Sequence, residues 1–153
     1  MNIKVQMATK EDIHLLNEFF KHYQTKKIIN NRSNCYTSHN FTVIAKDDNN
    51  IVGTLQWYIK ENPNAGVVEF EEVFVLEKYR GNGIASQLIK FSIEEVIKFF
   101  NEINIKPRKI FLMVSKDNLT ARKLYEKFGF INIAELNDLF FDGEIELFYS
   151  LNI

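Results

Sequence analysis

The run Val73-Phe-Val-Leu-Glu-Lys-Tyr-Arg-Gly-Asn-Gly-Ile-Ala85 constrains the fold more than any other part of this chain. A β-branched start, a turn with two glycines and an apolar continuation predict a strand that passes through a tight turn into a helix. Gly81 and Gly83 can take positive φ without a Cβ clash and let a ligand approach the main chain closely. The helix that follows offers the unpaired N–H groups of its first turn and the positive end of its dipole. Main-chain donors alone can hold a phosphate or pyrophosphate at such a place, so a phosphorylated ligand is expected.

Two familiar phosphate loops do not fit. A Walker loop ends in Gly-Lys-Ser/Thr, whereas Gly83 is followed by Ile84 and Ala85. A dinucleotide fingerprint would carry its third glycine at position 86, where Ser86 stands, and would sit in an N-terminal βαβ unit. The pattern Arg80-x-x-Gly83-x-Ala85 instead resembles the pyrophosphate loop of the GNAT superfamily of acyl-coenzyme A-dependent N-acyltransferases.

A second segment strengthens the resemblance. Asn118-Leu-Thr-Ala121-Arg-Lys-Leu-Tyr125-Glu-Lys-Phe-Gly129-Phe130 is similar to the other signature of that family, an Asn, an Ala and a Tyr on a helix that ends at Gly-Phe. Asn118 is expected to cap the helix, and Gly129 to stop it as the C′ residue before Phe130 opens a strand. The resemblance is clearest from Val67 to Phe130.

Periodicity along the rest of the chain supplies the remaining elements. A strand is expected near Ile3 to Met7, then Thr9 as an N-cap with Asp12 three residues on, then a helix with Ile13, Leu16 and Phe20 on one face. A second short helix or irregular segment is placed at Lys26 to Asn34. Strands are expected at Phe41 to Lys46, Ile51 to Ile59 and Val67 to Val75, with turns at Asp47 to Asn50 and Glu61 to Gly66. Past the glycine turn, Ile89, Ile93, Val96, Ile97 and Phe100 mark the buried face of a long helix, with Glu94, Glu95 and Lys98 outside. Arg108 to Ser115 reads as a central parallel strand, with closing strands near Ile131 to Glu135 and Glu144 to Leu151. The order is βααβββαβαββ, an α/β (α+β) chain. The resemblance implies the GNAT fold, a mixed central sheet flanked by helices, with strands one to four antiparallel and the later ones parallel around splayed central strands.

Composition agrees with one domain over residues 1–153, since a chain of this length that is 46% hydrophobic can bury one sizeable core. The formal net charge of −1 leaves no basic excess to track nucleic acid. The N-terminus lacks a signal-peptide run, and no apolar stretch is long enough for a membrane span, so a cytoplasmic location is expected with no membrane partner. Cys35 is the only cysteine and sits in a polar run without a paired base, so it reads as a bystander thiol. His14, His22 and His39 lack metal-ligand spacing, and no metal is expected. The Asn-x-Ser/Thr triplets at Asn31, Asn40 and Asn118 read as chance matches to a glycosylation acceptor.

The resemblance also implies a chemistry. Acetyl-CoA would lie with its pyrophosphate on Arg80, Gly81, Asn82, Gly83, Ile84 and Ala85. Its pantetheine amides would pair with the main chain at Val73 and Val75, and Asn118 and Ala121 would line the other wall. Direct attack by an amine in a ternary complex then requires three things. A primary amine with a pKa near ~10.4 must lose its proton, the oxyanion must be stabilised, and the departing thiolate must receive a hydrogen bond or proton. Tyr125 occupies the family's tyrosine position and is assigned the leaving group, a plain packing role being its alternative. For the base, Glu71 comes first, Glu72 second and Glu69 third. Strand alternation is expected to put Glu69 and Glu71 on one face and Glu72 on the other, the alternative being that none is the chemical base and that they merely attract the amine.

The acceptor side would be shaped by Tyr23 to Asn40, Trp57, Tyr58 and Asn137 to Gly143. Glu61, Asp138 and Asp142 could join the strand carboxylates as a negative funnel for a cationic acceptor such as an aminoglycoside or polyamine, or remain ordinary solvated charge. A catalytically silent acyl-CoA-binding sensor or interaction domain and a protein N-terminal or lysine acetyltransferase are the alternatives. A homodimer is compatible with all of these readings.

Overall fold

The computed structural model of the chain describes residues 1–21 and 41–153. Its strands are β1 (Ile3–Met7), β2 (Phe41–Asp47), β3 (Asn50–Ile59), β4 (Val67–Val75), β5 (Lys109–Ser115), β6 (Ile131–Asn137) and β7 (Ile145–Asn152). Its regular helices are α1 (Ile13–Phe20), α2 (Ile84–Glu102) and α3 (Leu119–Lys127). The strands form one seven-stranded mixed sheet in the order β1-β2-β3-β4-β5-β7-β6. The helix expected at Lys26 to Asn34, together with His22, Asn31, Cys35, His39 and Asn40, lies outside the described residues.

One expectation about the sheet needs correction. The later strands are not parallel to one another: β5 pairs with β7 and β7 with β6 antiparallel, and the parallel pairing is β4 with β5. Periodicity reports which face of a strand is buried and carries no information on its direction. The β4–β5 register comprises Val67↔Lys109, Val68↔Ile110 and Glu69↔Phe111, three pairs at the start of a nine-residue strand.

The chain divides into two compact units, Met1–Tyr58 with Glu72–Glu94, and Ile59–Glu71 with Glu95–Ile153. In the first, α1 follows a 3-10 turn that Asp12 organises. The Thr9 N–H donates to Asp12 Oδ2 at 2.8 Å and the Thr9 hydroxyl at 3.1 Å, so the expected N-terminal signal is present. Lys46 of β2 also donates to Asp12. Burial on its own would raise the Asp12 pKa, but the Lys46 and Thr9 hydrogen bonds outweigh it and hold the carboxyl below its ordinary value. The α1 face packs Leu16, Phe19 and Phe20 against Ile44 and Ile51. Each of these large side chains contributes ~1.5–3 kcal/mol when fully buried. Ile13 is only half-buried and Phe19 takes its expected place, with Phe74 edge-on at 5.7 Å. Gly53 in β3 is required by closeness: a Cβ there would stand 3.0 Å from the Phe74 carbonyl oxygen.

In the second unit, β5 shows strict alternation, with Ile110, Leu112 and Val114 buried. Gly66 turns the chain into β4 at φ +64, and its carbonyl accepts from the N–H groups of Arg108 (2.8 Å) and Lys109 (3.2 Å). A Cβ at Gly66 would collide with the Lys106 carbonyl oxygen, so this glycine is fixed both by its dihedral and by crowding. The helix α2 runs from the first unit into the second; its buried residues are Ile84, Leu88, Ile89 and Ser92 in the first and Val96 and Phe100 in the second, while Ile93 and Ile97 are half-buried. The apolar face is therefore centred differently from the one expected.

Candidate active site

The glycine turn has the expected form. Gly81 and Gly83 take φ of +79 and +74, and a Cβ added at either would meet no atom within 4 Å. These glycines are therefore not needed for packing, and the surface above them is open. The first helical hydrogen bond of this stretch runs from the Gln87 N–H to the Gly83 carbonyl at 3.1 Å. The N–H groups of Ile84, Ala85 and Ser86 precede it and have no protein acceptor among the described residues. Unpaired main-chain donors in the first turn of a 19-residue helix, preceded by two glycines with open space beside them, fit a pyrophosphate. Asn82 steadies the turn, its amide donating to the carbonyls of Tyr79 and Arg80 at 3.1 Å each.

Arg80 is tied down on the strand side. Its Nε donates to the Val75 carbonyl at 3.1 Å, and its guanidinium lies 5.9 Å from the Phe74 ring centre. The Val75 carbonyl thus already accepts one hydrogen bond from a side chain. Val73 is half-buried on the same strand.

The strand carboxylates differ from the simple alternation expected. Glu72 sits at φ +47, a left-handed conformation that costs a non-glycine residue roughly 1–2 kcal/mol. Regular alternation ends at this kink, so Glu71 and Glu72 cannot be assigned to opposite faces by counting. Both are half-buried, and Glu72 Oε2 accepts from Gln56 Nε2 at 3.4 Å. Gln56 in turn accepts from the Tyr58 hydroxyl at 2.9 Å, which makes a Tyr58–Gln56–Glu72 chain. Glu69 is buried and forms an ion pair with Lys60. Gln56 and Lys60 were not singled out from sequence. A glutamine inside the otherwise apolar Ile51-Val-Gly-Thr-Leu-Gln-Trp57 was the available signal, since a fully buried amide needs a partner.

The helix α3 is built as its sequence indicates. Asn118 caps it, its Oδ1 accepting from the Ala121 N–H at 3.1 Å. At the other end the Gly129 N–H reaches the Glu126 carbonyl (3.0 Å) and the Phe130 N–H the Tyr125 carbonyl (3.2 Å), with Gly129 at φ +86. This is a Schellman motif. Tyr125 is buried at 7% exposure, edge-on to Phe130 at 5.9 Å and tilted against Tyr149 at 6.5 Å. Its hydroxyl has no hydrogen-bond partner among the described residues. Burial pushes the phenol pKa up to about 12, so it is a neutral donor at physiological pH.

On the expected acceptor side the residues fare unequally. Trp57 is fully buried, stacked on Phe41 at 3.8 Å, and belongs to the core. Asp138 closes the β6–β7 loop, its Oδ1 accepting from the Gly143 N–H at 2.6 Å. Asp142 is exposed on that loop beside Phe140 and Phe141. Glu61 and Glu69 share the lining of one cavity. The segment Tyr23 to Asn40 lies outside the described residues, save for its continuation at Phe41.

Comparison with known proteins adds to this geometry. The profile of the acetyltransferase (GNAT) family matches residues 10–130. A spermine/spermidine N(1)-acetyltransferase of Bacillus subtilis is 30% identical over 92 residues, 60% of this chain and 55% of that protein. An N-alpha-acetyltransferase of Saccharolobus solfataricus is 31% identical over 109 residues, 66% of this chain and 62% of that protein. The matches thus span less than two thirds of the length of either relative. The solved structure of yncA from Salmonella typhimurium, with its cofactor acetyl-CoA, superimposes with a TM-score of 0.78 over 99% of this chain and 94% of that one. At 16% identity, that likeness concerns the fold.

Proposed function

Because the chain belongs to the GNAT acetyltransferase family, we propose that it moves the acetyl group of acetyl-CoA to a primary amine of a small cationic molecule, a polyamine first among them. The observation that carries the reading is the neutral hydroxyl of the largely buried Tyr125, with no hydrogen-bond partner among the described residues, on a helix whose cap and stop both follow the family signature. Residues 1–153 act as a single catalytic domain in this reading, in the cytoplasm, without a metal.

The N–H groups of Ile84, Ala85 and Ser86 hold the pyrophosphate, with Gly81, Asn82 and Gly83 shaping the turn and Arg80 adding positive charge. The main chain at Val73 and Val75 pairs with the pantetheine amides as another strand would. Asn118 contributes its amide Nδ2, since its Oδ1 is occupied by the cap, and Ala121 leaves room beside it. Tyr125 donates to the sulfur as the thiolate departs. Glu71 accepts the proton of the amine directly or through a water, with Glu72, held by Gln56, as the second candidate.

The polyamine acceptor is supported by the Bacillus subtilis relative and by the carboxylates of β4. A second reading, acetylation of a protein N-terminus, is supported by the Saccharolobus solfataricus relative. Release of free coenzyme A thiol in the presence of spermidine, an aminoglycoside or a peptide with a free α-amine separates the two. Turnover with the peptide alone would replace the polyamine reading. No binding of coenzyme A, or equal binding of NAD, would remove both.

A further inference from the structure

The second unit contains a cavity of about 430 Å³ whose lining includes Lys60, Glu61, Val67, Glu69, Phe111 and Met113. Val67 and Glu69 alternate along β4 and are in register with Lys109 and Phe111 of β5. Phe111 and Met113 alternate along β5, so these side chains share one face of the sheet. The Phe111 ring is itself backed by Phe148, stacked at 4.9 Å. The result is a largely apolar face that carries the buried Glu69 beside Phe111, of a size usual for small-molecule sites.

The charges in this cavity are unequal in exposure. The Glu69 side chain is 5% exposed and held by the strand, whereas the Lys60 side chain paired with it is 41% exposed. An ionised carboxylate against apolar surroundings requires a cation. The cation that supplies this need is an ammonium on a flexible four-carbon stem, reaching in from the solvent side. Chemically, the Lys60 side chain is a primary alkylammonium, the same group as the end of an aliphatic polyamine. Glu61, adjacent in sequence and on the same lining, offers a second carboxylate for a further ammonium separated by methylenes.

We propose that this cavity binds a linear aliphatic polyamine, whose terminal ammonium displaces Lys60 from Glu69 while its methylenes lie on Val67, Phe111 and Met113. Lys60 is then a built-in competitor that occupies Glu69 in the empty cavity and raises the threshold concentration of amine. The consequence for turnover rests on the acetyl-transfer reading above. The binding itself does not.

Calorimetry with spermidine on the full chain, without acetyl-CoA, tests the proposal. Glu69→Gln should weaken binding about 10- to 100-fold, the range for losing one charge-assisted contact. Lys60→Met keeps the stem, removes the competitor and should tighten binding. Met113→Trp fills the cavity while preserving every charge and should abolish binding; it also covers the case in which a charge variant fails to fold. Spermidine affinity unchanged in Glu69→Gln, or unchanged in Met113→Trp, would overturn the cavity assignment even if spermidine is acetylated. Glu69-dependent binding with no acetylation of any amine would leave the cavity standing and remove the transfer reading instead.

Discussion

The Tyr149 hydroxyl of β7 donates a 2.7 Å hydrogen bond to Glu126 Oε1, on the residue that follows Tyr125 in α3. The helix that carries the proposed acid is thereby latched to the sheet one residue from the acid itself. Tyr149→Phe removes the latch and keeps the ring that leans on Tyr125. A hydrogen bond to a charged acceptor is worth ~1.5–3 kcal/mol, and the exposed Glu126 recovers part of this from water. Urea unfolding should therefore show a loss near ~1 kcal/mol, with kcat reduced and the acetyl-CoA KM little changed.

Tyr125→Phe should lower kcat by ~10² to 10⁴-fold, the usual general-acid contribution, and leave coenzyme A affinity nearly intact. Unchanged kcat under conditions where chemistry limits turnover would return this residue to packing alone. A second signature lies in alkaline stability. The folded-state pKa of about 12 exceeds the ordinary tyrosine value near ~10, so the folded state retains its proton longer. Stability from this group is complete below pH ~10 and is lost as pH rises toward 12. The Phe variant should unfold less steeply over that window.

Gly83→Val should abolish coenzyme A binding without unfolding the protein. No atom of the protein lies within 4 Å of a Cβ at this position, but φ is +74, which a β-branched residue rarely adopts, and the added side chain would occupy space at the turn where the ligand is expected. Coenzyme A at ~100 times its dissociation constant should stabilise the wild type by about 2.7 kcal/mol and the variant not at all, as read from thermal melts.

Gly66→Ala should behave in the opposite way, with a loss of folding stability whether or not ligand is present. The dihedral alone costs roughly 1–2 kcal/mol, and the collision with the Lys106 carbonyl adds to it. Equal melting temperatures of variant and wild type would show that this turn relaxes freely.

Asp12→Asn should cost ~1–3 kcal/mol at neutral pH, because the Thr9 and Lys46 hydrogen bonds lose their charged acceptor. The Asp12 pKa is depressed in the folded state, so its contribution is present above the ordinary aspartate pKa and lost as pH falls through the folded value. Acid titration of unfolding should narrow the difference between the two proteins from the ordinary aspartate pKa downward and close it only below the depressed folded value.

What was legible in the sequence was what local rules determine. Gly83 and Gly129 take positive φ because their own neighbours demand it, and Asn118 caps because its side chain reaches three residues forward along its own helix. The Lys60–Glu69 pair, the kink at Glu72 and the Gln56 bridge depend on how separate strands meet, and no window of sequence contains both partners in register. Strand direction was invisible for the same reason. Ile131 and Ile133 show the limit of hydropathy as a guide: both are exposed on β6, which closes one end of the sheet order.

The Asn118 cap and the Gly129 stop together act as a ruler. Each residue advances an α-helix by about 100°, so one inserted or deleted residue between the cap and Tyr125 would swing the phenol roughly a quarter-turn away from Phe130 and Tyr149. Substitutions along α3 can be absorbed, whereas a change in its length cannot. Over evolutionary drift this helix should vary freely in the identity of its exposed residues and hardly at all in the spacing from its first asparagine to its tyrosine.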